Sequence, residues 1–183
     1  MLIFEKFNKD DFSLYEELVY NENVMKMNYG RVFTKEEAAF LFDYFVEYNN
    51  LNVSSGYYKV ISREHNCFIG LGALVVDNES KTAEVEYMIL PEFWHHGFGS
   101  KILLELLELS RNANLIRVEA IIDPENVISR HILEKADFSF YKEFVNEDGE
   151  LAALYCLDAN TNKLNSDLSD KNNLYKHFLE NKT

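Results

Sequence analysis

The stretch "EVEYMILPEFWHHGFGSK", residues 84–101, brings together side chains that can do chemistry. Glu84 and Glu86 stand two apart in an apolar run, so on a strand they share a face and can attract a cation or take a proton, unless a bulge turns one away. The same two carboxylates would also suit an open, solvated sheet face. Six residues separate the run from Gly97 and Gly99, which flank Phe98 and lead into a leucine-rich helix that starts at about Ser100. The first amides of a helix have no intrahelical partners, and the helix dipole is positive there. Small residues let an anion approach that backbone closely, so the loop suits a pyrophosphate. A G-x-G turn also occurs for steric reasons alone. The third glycine of a dinucleotide fingerprint is missing, and "GSK" inverts the P-loop order, which disfavours a nucleoside triphosphate. His95 and His96 are adjacent and point to different sides of the chain, and no Cys, Asp or Glu stands at ligand spacing in the loop, so no metal is expected. Trp94 is expected to pack beneath the loop.

These groups need a scaffold, and the chain has 183 residues to build it, 47% of them apolar and 14% aromatic. That length and composition predict one globular domain. "MLIFEKF" alternates as a strand, and "NKDDFSLYEELVYNENVMKM" opens with capping side chains and places Phe12, Tyr15, Leu18 and Val19 on one helical face. Thr34 and Glu37 have capping-box spacing at the head of a second helix. From Tyr57 the period falls to two through "YYKVISR", "CFIGLGALVVD" and "TAEVEYMIL", an antiparallel meander. A helix over about 100–113 and a buried strand "LIRVEAII" turn the meander into a strand-helix-strand unit with a parallel pairing. "DPEN" then caps a helix "VISRHILEKA", and "FSFYKEFV" with "ELAALYCLD" forms a closing hairpin around "NEDG". The expectation is an α/β (α+β) domain over residues 1–158, followed by a polar, Asn-rich tail at 159–183 with a short helix near "LYKHFL".

Charge narrows the partners. A net charge of −13 repels phosphate backbones and favours cationic partners over nucleic acid. No apolar run reaches the length of a membrane span and the N-terminus does not read as a secretory signal, so the chain is expected in the cytoplasm. Cys67 and Cys156 lie far apart in strand-like runs and read as reduced core residues.

The order of elements, with "EVEYMILPEFWHHGFGSK" and "DPENVISRHILEKADF" in sequence, resembles the GNAT superfamily of acyl-CoA-dependent N-acyltransferases. It looks most like the branch that holds the ribosomal-protein N-terminal acetyltransferases RimJ and RimL and the polyamine acetyltransferases. The likeness covers roughly residues 2–158, including "NENVMKMNYGRVFTKEEA". It implies a mixed, mostly antiparallel sheet of six to seven strands flanked by about four helices. It implies acetyl-CoA as co-substrate, its pyrophosphate on His95, His96, Gly97, Phe98, Gly99 and Ser100 and its pantetheine arm along Met88, Ile89 and Leu90. The matching asparagine, Asn126, would contact that arm as well as cap its helix. Glu84 falls on a glutamate of the branch and would be the general base, through a water. Glu86, at a position often glycine, would line the acceptor pocket. Ser129 matches a hydroxyl near the sulfur and would act as acid or thiolate hydrogen-bond donor, with Tyr141 as a fallback. An N–H near Ile89 would hold the oxyanion, and His131 would be a surface residue.

The implied reaction is transfer of an acetyl group to a primary amine, at a protein N-terminus or on a small cationic molecule such as a polyamine, with a homodimer allowed. Three departures qualify this. His96 replaces the usual basic residue before Gly97, Asp137 stands where a left-handed glycine is expected, and Leu133 replaces the usual tyrosine acid. The missing tyrosine and the weakened basic position motivate the alternative of a non-catalytic coenzyme A-binding regulatory module.

Overall fold

The computed structural model describes residues 1–146 and 149–158, and the expected polar tail at 159–183 lies outside them. Strand β1 (Leu2–Lys6) leads into helices α1 (Phe12–Val19), α2 (Glu22–Asn28) and α3 (Lys35–Leu51). The meander β2 (Gly56–Ser62), β3 (Cys67–Asp77) and β4 (Thr82–Ile89) follows, then α4 (Phe98–Ser110), β5 (Arg117–Ile122), α5 (Val127–Lys135), β6 (Ser139–Val145) and β7 (Leu151–Asp158). The strands form one sheet in the order β1-β2-β3-β4-β5-β7-β6. Only the β4–β5 pairing is parallel, where α4 makes the crossover. The hairpin strand β7 inserts between β5 and β6.

Five α-helices stand among the described residues where about four are expected. The first helical stretch divides at Asn21, whose side chain accepts hydrogen bonds from the amides of Asn23 and Val24 and so starts α2 afresh. The capping box of α3 forms as its spacing predicts. Thr34 Oγ1 accepts from the Glu37 amide, and the Glu37 carboxylate accepts from the Thr34 amide. The Arg31 guanidinium, and then that amide, hold the Glu37 carboxyl at about 2. Helix α4 starts at Phe98, two residues earlier than its pattern predicts, and continues as a 3-10 turn over Arg111–Ala113.

Two apolar layers clamp the sheet. On one face α1, α2 and α3 bury Leu18, Val24, Met25, Phe42 and Phe45 against Leu71, Ala73, Met88 and Leu90. On the other face α4 and α5 bury Ile102, Leu103, Leu106 and Leu133 against Val60, Leu74, Val85 and Val118. Each of the larger of these side chains, the Val, Leu, Ile, Met and Phe, contributes roughly 1.5–3 kcal/mol by leaving water. Asn49, buried in α3, ties the first layer to the sheet. Its Nδ2 donates to the carbonyls of Phe7 and Tyr57, and its Oδ1 accepts from the Tyr57 amide. Gly70 is required where β3 passes the end of β4, because a Cβ there would lie 2.0 Å from the Met88 carbonyl oxygen. Cys67 and Cys156 are free but only half-buried, on β3 and β7, rather than core residues. No helix among the described residues is long and apolar enough to cross a membrane.

Candidate functional site

The two edges of β4 behave differently. Its register with β3 is unbroken from Thr82 to Ile89, whereas it pairs with β5 only at Thr82, Ala83 and Glu84. Beyond Glu84 the strands part, and a cavity of about 540 Å³ opens between them. Glu84, Glu86 and Tyr87 of β4 line it, with Tyr29 from the segment after α2 and Asn126 and Ser129 from the start of α5. Three of the residues singled out for chemistry in the sequence, Glu84, Glu86 and Ser129, thus meet in one cleft.

Because β4 has no bulge against β3, Glu84 and Glu86 remain on one face, the side of α1–α3. Tyr29 donates its phenol proton to Glu86 Oε1 at 3.0 Å. Loss of solvation, then repulsion from Glu84, pushes the Glu86 carboxyl up to about 7 against the opposing pull of Tyr29. Glu84 sits at the fork, in register with Glu119 of β5, and is raised first by loss of solvation and then by the Glu119 charge. The Glu86 charge in turn holds the Tyr29 phenol well above its ordinary range, so it remains a donor.

The odd-numbered residues of β4 face α4 and α5. Asn126 caps α5 by accepting from the Ser129 amide at 3.0 Å, as local sequence predicts, and its Nδ2 donates to the Met27 carbonyl at 3.4 Å. This one side chain links the start of α5 to the end of α2. Ser129 Oγ accepts from the Tyr87 phenol at 3.4 Å. Leu133, buried one turn further along α5, also lines the cleft. Tyr141 lies neither in the cleft nor in the core. It is 57% exposed beside a register shift in β6, with the Arg117 guanidinium over its ring. His131 is exposed, as expected.

The glycine loop abuts this cleft without lining it. Gly97 is the N-cap of α4 at φ 74°, and no side chain caps the first turn. Lys101 N–H makes the first helical bond, to the Gly97 carbonyl, so the amides of Phe98, Gly99 and Ser100 precede it. A Cβ at Gly99 would lie 3.0 Å from Ile132 Cδ1, 3.4 Å from Tyr87 Cε2 and 3.7 Å from Ile89 Cδ1, so the helix terminus seats on β4 and α5. His95 and His96 are exposed, and Lys101 Nζ, 5.2 Å from the centre of the Phe98 ring, adds a cation to the first turn. These donors fit a pyrophosphate. Among the described residues no group of three or more His, Cys, Asp or Glu is placed to hold a metal.

At the end of β4 the Leu90 amide is committed to the Ile69 carbonyl, and the Met88 and Leu90 side chains are buried toward α1–α3. Alternation along an antiparallel strand leaves the Ile89 backbone groups on the free edge. Its carbonyl accepts from the Trp94 indole at 2.7 Å, so Trp94 braces the strand end, and its ring packs against the α1–α3 layer. Asp137 adopts φ 64° and closes α5 in a Schellman arrangement, with Phe138 N–H bonded to the Leu133 carbonyl and Asp137 N–H to that of Glu134. Tyr29, Tyr87, Lys101 and Glu119 join the site without a motif to announce them. Tyr87 carries the strongest local signal, since a residue between paired glutamates and a glycine loop must face whatever covers the opposite side of its strand.

Similarity to known proteins agrees with this arrangement. The acetyltransferase (GNAT) domain model matches residues 1–139. YnaD of Bacillus subtilis (strain 168), described as an uncharacterized N-acetyltransferase, is 26% identical over 153 residues, 81% of this chain and 87% of that protein. The N-acetyltransferase p20 of Bacillus licheniformis, also described as uncharacterized, is 33% identical over 97 residues, covering 52% of this chain and 53% of that one. Among solved structures, a GNAT-family acetyltransferase from Bacillus anthracis superimposes with a TM-score of 0.71 at 21% identity, covering 87% of this chain and 96% of that one. Spermidine N-acetyltransferase from Vibrio cholerae, in complex with CoA and spermine, gives 0.70 at 19% identity, covering 86% and 95%. With strands that part beside an uncapped helix terminus, and a family model spanning most of its length, the chain belongs to the GNAT acetyltransferase family and is an N-acetyltransferase.

Proposed function

We propose that residues 1–158 form one cytoplasmic acetyltransferase domain of the RimJ/RimL-like branch, which moves an acetyl group from acetyl-CoA to the primary amine of a peptide N-terminus or of a small cation such as a polyamine. The observation that carries this is the meeting of Glu84, Glu86 and Ser129 in one cleft that abuts the uncapped start of α4. The amides of Phe98, Gly99 and Ser100, with Lys101 and the exposed His95 and His96, would hold the pyrophosphate. The free edge at Ile89 would receive the pantetheine arm, which also approaches Asn126.

A cationic acceptor is drawn by Glu84 and Glu119 at the fork and by the acidic helices before it. Attack requires a neutral amine. A base with a pKa near the working pH does this best, which favours Glu86, at about 7, for the proton and Glu84 for holding the cation, the reverse of the roles the resemblance implies. The Ile89 N–H would receive the developing oxyanion, and Ser129 would meet the departing sulfur. The Vibrio cholerae neighbour, with CoA and spermine, supports a polyamine among the candidate acceptors.

Isothermal titration with acetyl-CoA, with coenzyme A and ATP as comparisons, followed by thiol release against polyamines and N-terminal peptides, tests the reading. Micromolar binding of acetyl-CoA with amine-dependent release is the expected result. Binding without release from any amine favours the regulatory module, and no preference for acetyl-CoA over ATP contradicts the reading.

A further inference from the structure

We propose that Tyr87 is a positioning residue for the leaving group: its phenol fixes the Ser129 hydroxyl so that the serine proton points at the departing sulfur. This deepens the acetyltransferase reading and rests on it. Three hydroxyls line the cleft among the described residues, those of Tyr29, Tyr87 and Ser129. Tyr29 gives its proton to Glu86 on the α1–α3 side, which leaves Tyr87 and Ser129 for the side of α4 and α5. Leu133, one turn beyond Ser129 on the same helical face, brings no polar atom.

A serine hydroxyl has one proton and two lone pairs. In a helix that proton is readily lost to a carbonyl of the preceding turn. When Tyr87 donates to Oγ at 3.4 Å, one lone pair is taken and the Ser129 rotor is restrained, with its own proton left for the cleft. Tyr87 is itself held in place: its ring rests against Gly99, where an added Cβ would stand 3.4 Å from Cε2. Burial raises the phenol above its ordinary value, so it stays a protonated donor at working pH. One ring therefore connects the glycine at the start of α4 to the hydroxyl of α5.

The reaction balances with these groups. The amine nitrogen attacks the thioester carbonyl carbon, a C–N bond forms and the amine proton passes to Glu86. The C–S bond then breaks with its electron pair going to sulfur, and the Ser129 O–H hydrogen-bonds the nascent thiolate. The proton held by Glu86 returns through solvent water to the sulfur, so the products are the N-acetylated amine and the free thiol.

The test is a double-mutant cycle of Y87F, S129A and Y87F/S129A, with steady-state thiol release at varied acetyl-CoA and thermal unfolding of each variant. Y87F removes one oxygen, and the expected loss is roughly 10-fold in kcat with KM for acetyl-CoA within about 2-fold. In the S129A background the same substitution should change kcat by less than about 2-fold, because Tyr87 acts only through Ser129. A structural role for the phenol would lower the unfolding temperature and multiply with S129A instead. Full kcat in Y87F, or losses that multiply in the double variant, overturns the positioning role while leaving the acetyltransferase reading intact. A wild-type protein that releases no thiol with any amine overturns both.

Discussion

The two faces of β4 beyond Glu84 belong to one short strand, yet they carry opposite chemistry. Toward α1–α3 stand Glu84 and Glu86 with Tyr29, an acidic surface suited to cations and to protons. Toward α4 and α5 stand Tyr87 and Ser129 beside Gly99, a surface of hydroxyls and unpaired amides suited to negative charge. The opening between β4 and β5 joins the two faces. In the proposed reaction an acceptor would enter from the acidic side and the thioester from the other, so that proton removal and sulfur departure would be served by groups on opposite faces of the sheet. Strand alternation alone produces the division, since adjacent residues on β4 must point opposite ways.

Neutralising the acidic face one carboxylate at a time separates the roles of Glu84 and Glu86. E86Q keeps the acceptor for Tyr29 but not the base, and kcat for thiol release at neutral pH should fall by about 10²-fold. E84Q should act mainly on amine KM, with kcat lowered by less than about 10-fold. Equal effects from the two would erase their division of labour. On the opposite face Gly99→Val crowds Ile132 and Tyr87, and we expect KM for acetyl-CoA to rise by roughly 10-fold while amine KM stays put, measured by initial rates at varied donor and acceptor.

Stability sharpens the contrast further. A carboxyl raised to about 7 binds its proton more tightly in the folded than in the unfolded chain, so its contribution is most favourable below the unfolded value near 4.5 and is lost as pH rises through 7. Thermal unfolding should therefore show E86Q more stable than wild type at pH 8, with the gap closing toward pH 5. The smallest effect belongs to the far end of α5. Asp137→Gly relieves a left-handed aspartate and should stabilise the fold by about 1 kcal/mol or less, read from denaturant unfolding, with thiol release unchanged.

Much of this was legible in the residues. The capping box at Thr34 and Glu37, the meander and the parallel return after α4 follow from local patterns that tertiary contacts did not override, and the left-handed position at Asp137 follows from the family resemblance. The shared face of Glu84 and Glu86 needed only the absence of a bulge. The split at Asn21 was harder, because the apolar spacing continues across it and only the cap geometry breaks it. The partners were not legible at all. Tyr29 meets Glu86 across 57 residues of chain and Tyr87 meets Ser129 across 42, and no periodicity reports a pairing of that kind. Nor does a pattern of hydrophobic residues show that β5 leaves β4 after Glu119, which is what creates the cleft.

Whether Glu86 takes the amine proton in the opening between β4 and β5 is read from the pH dependence of kcat for thiol release in wild type and E86Q at saturating acetyl-CoA and amine. With Glu86 as the base, the wild type should show an ascending limb with an apparent pKa of about 7, and E86Q should lose that limb along with most of the rate. An E86Q variant that keeps both the limb and the rate would contradict that role.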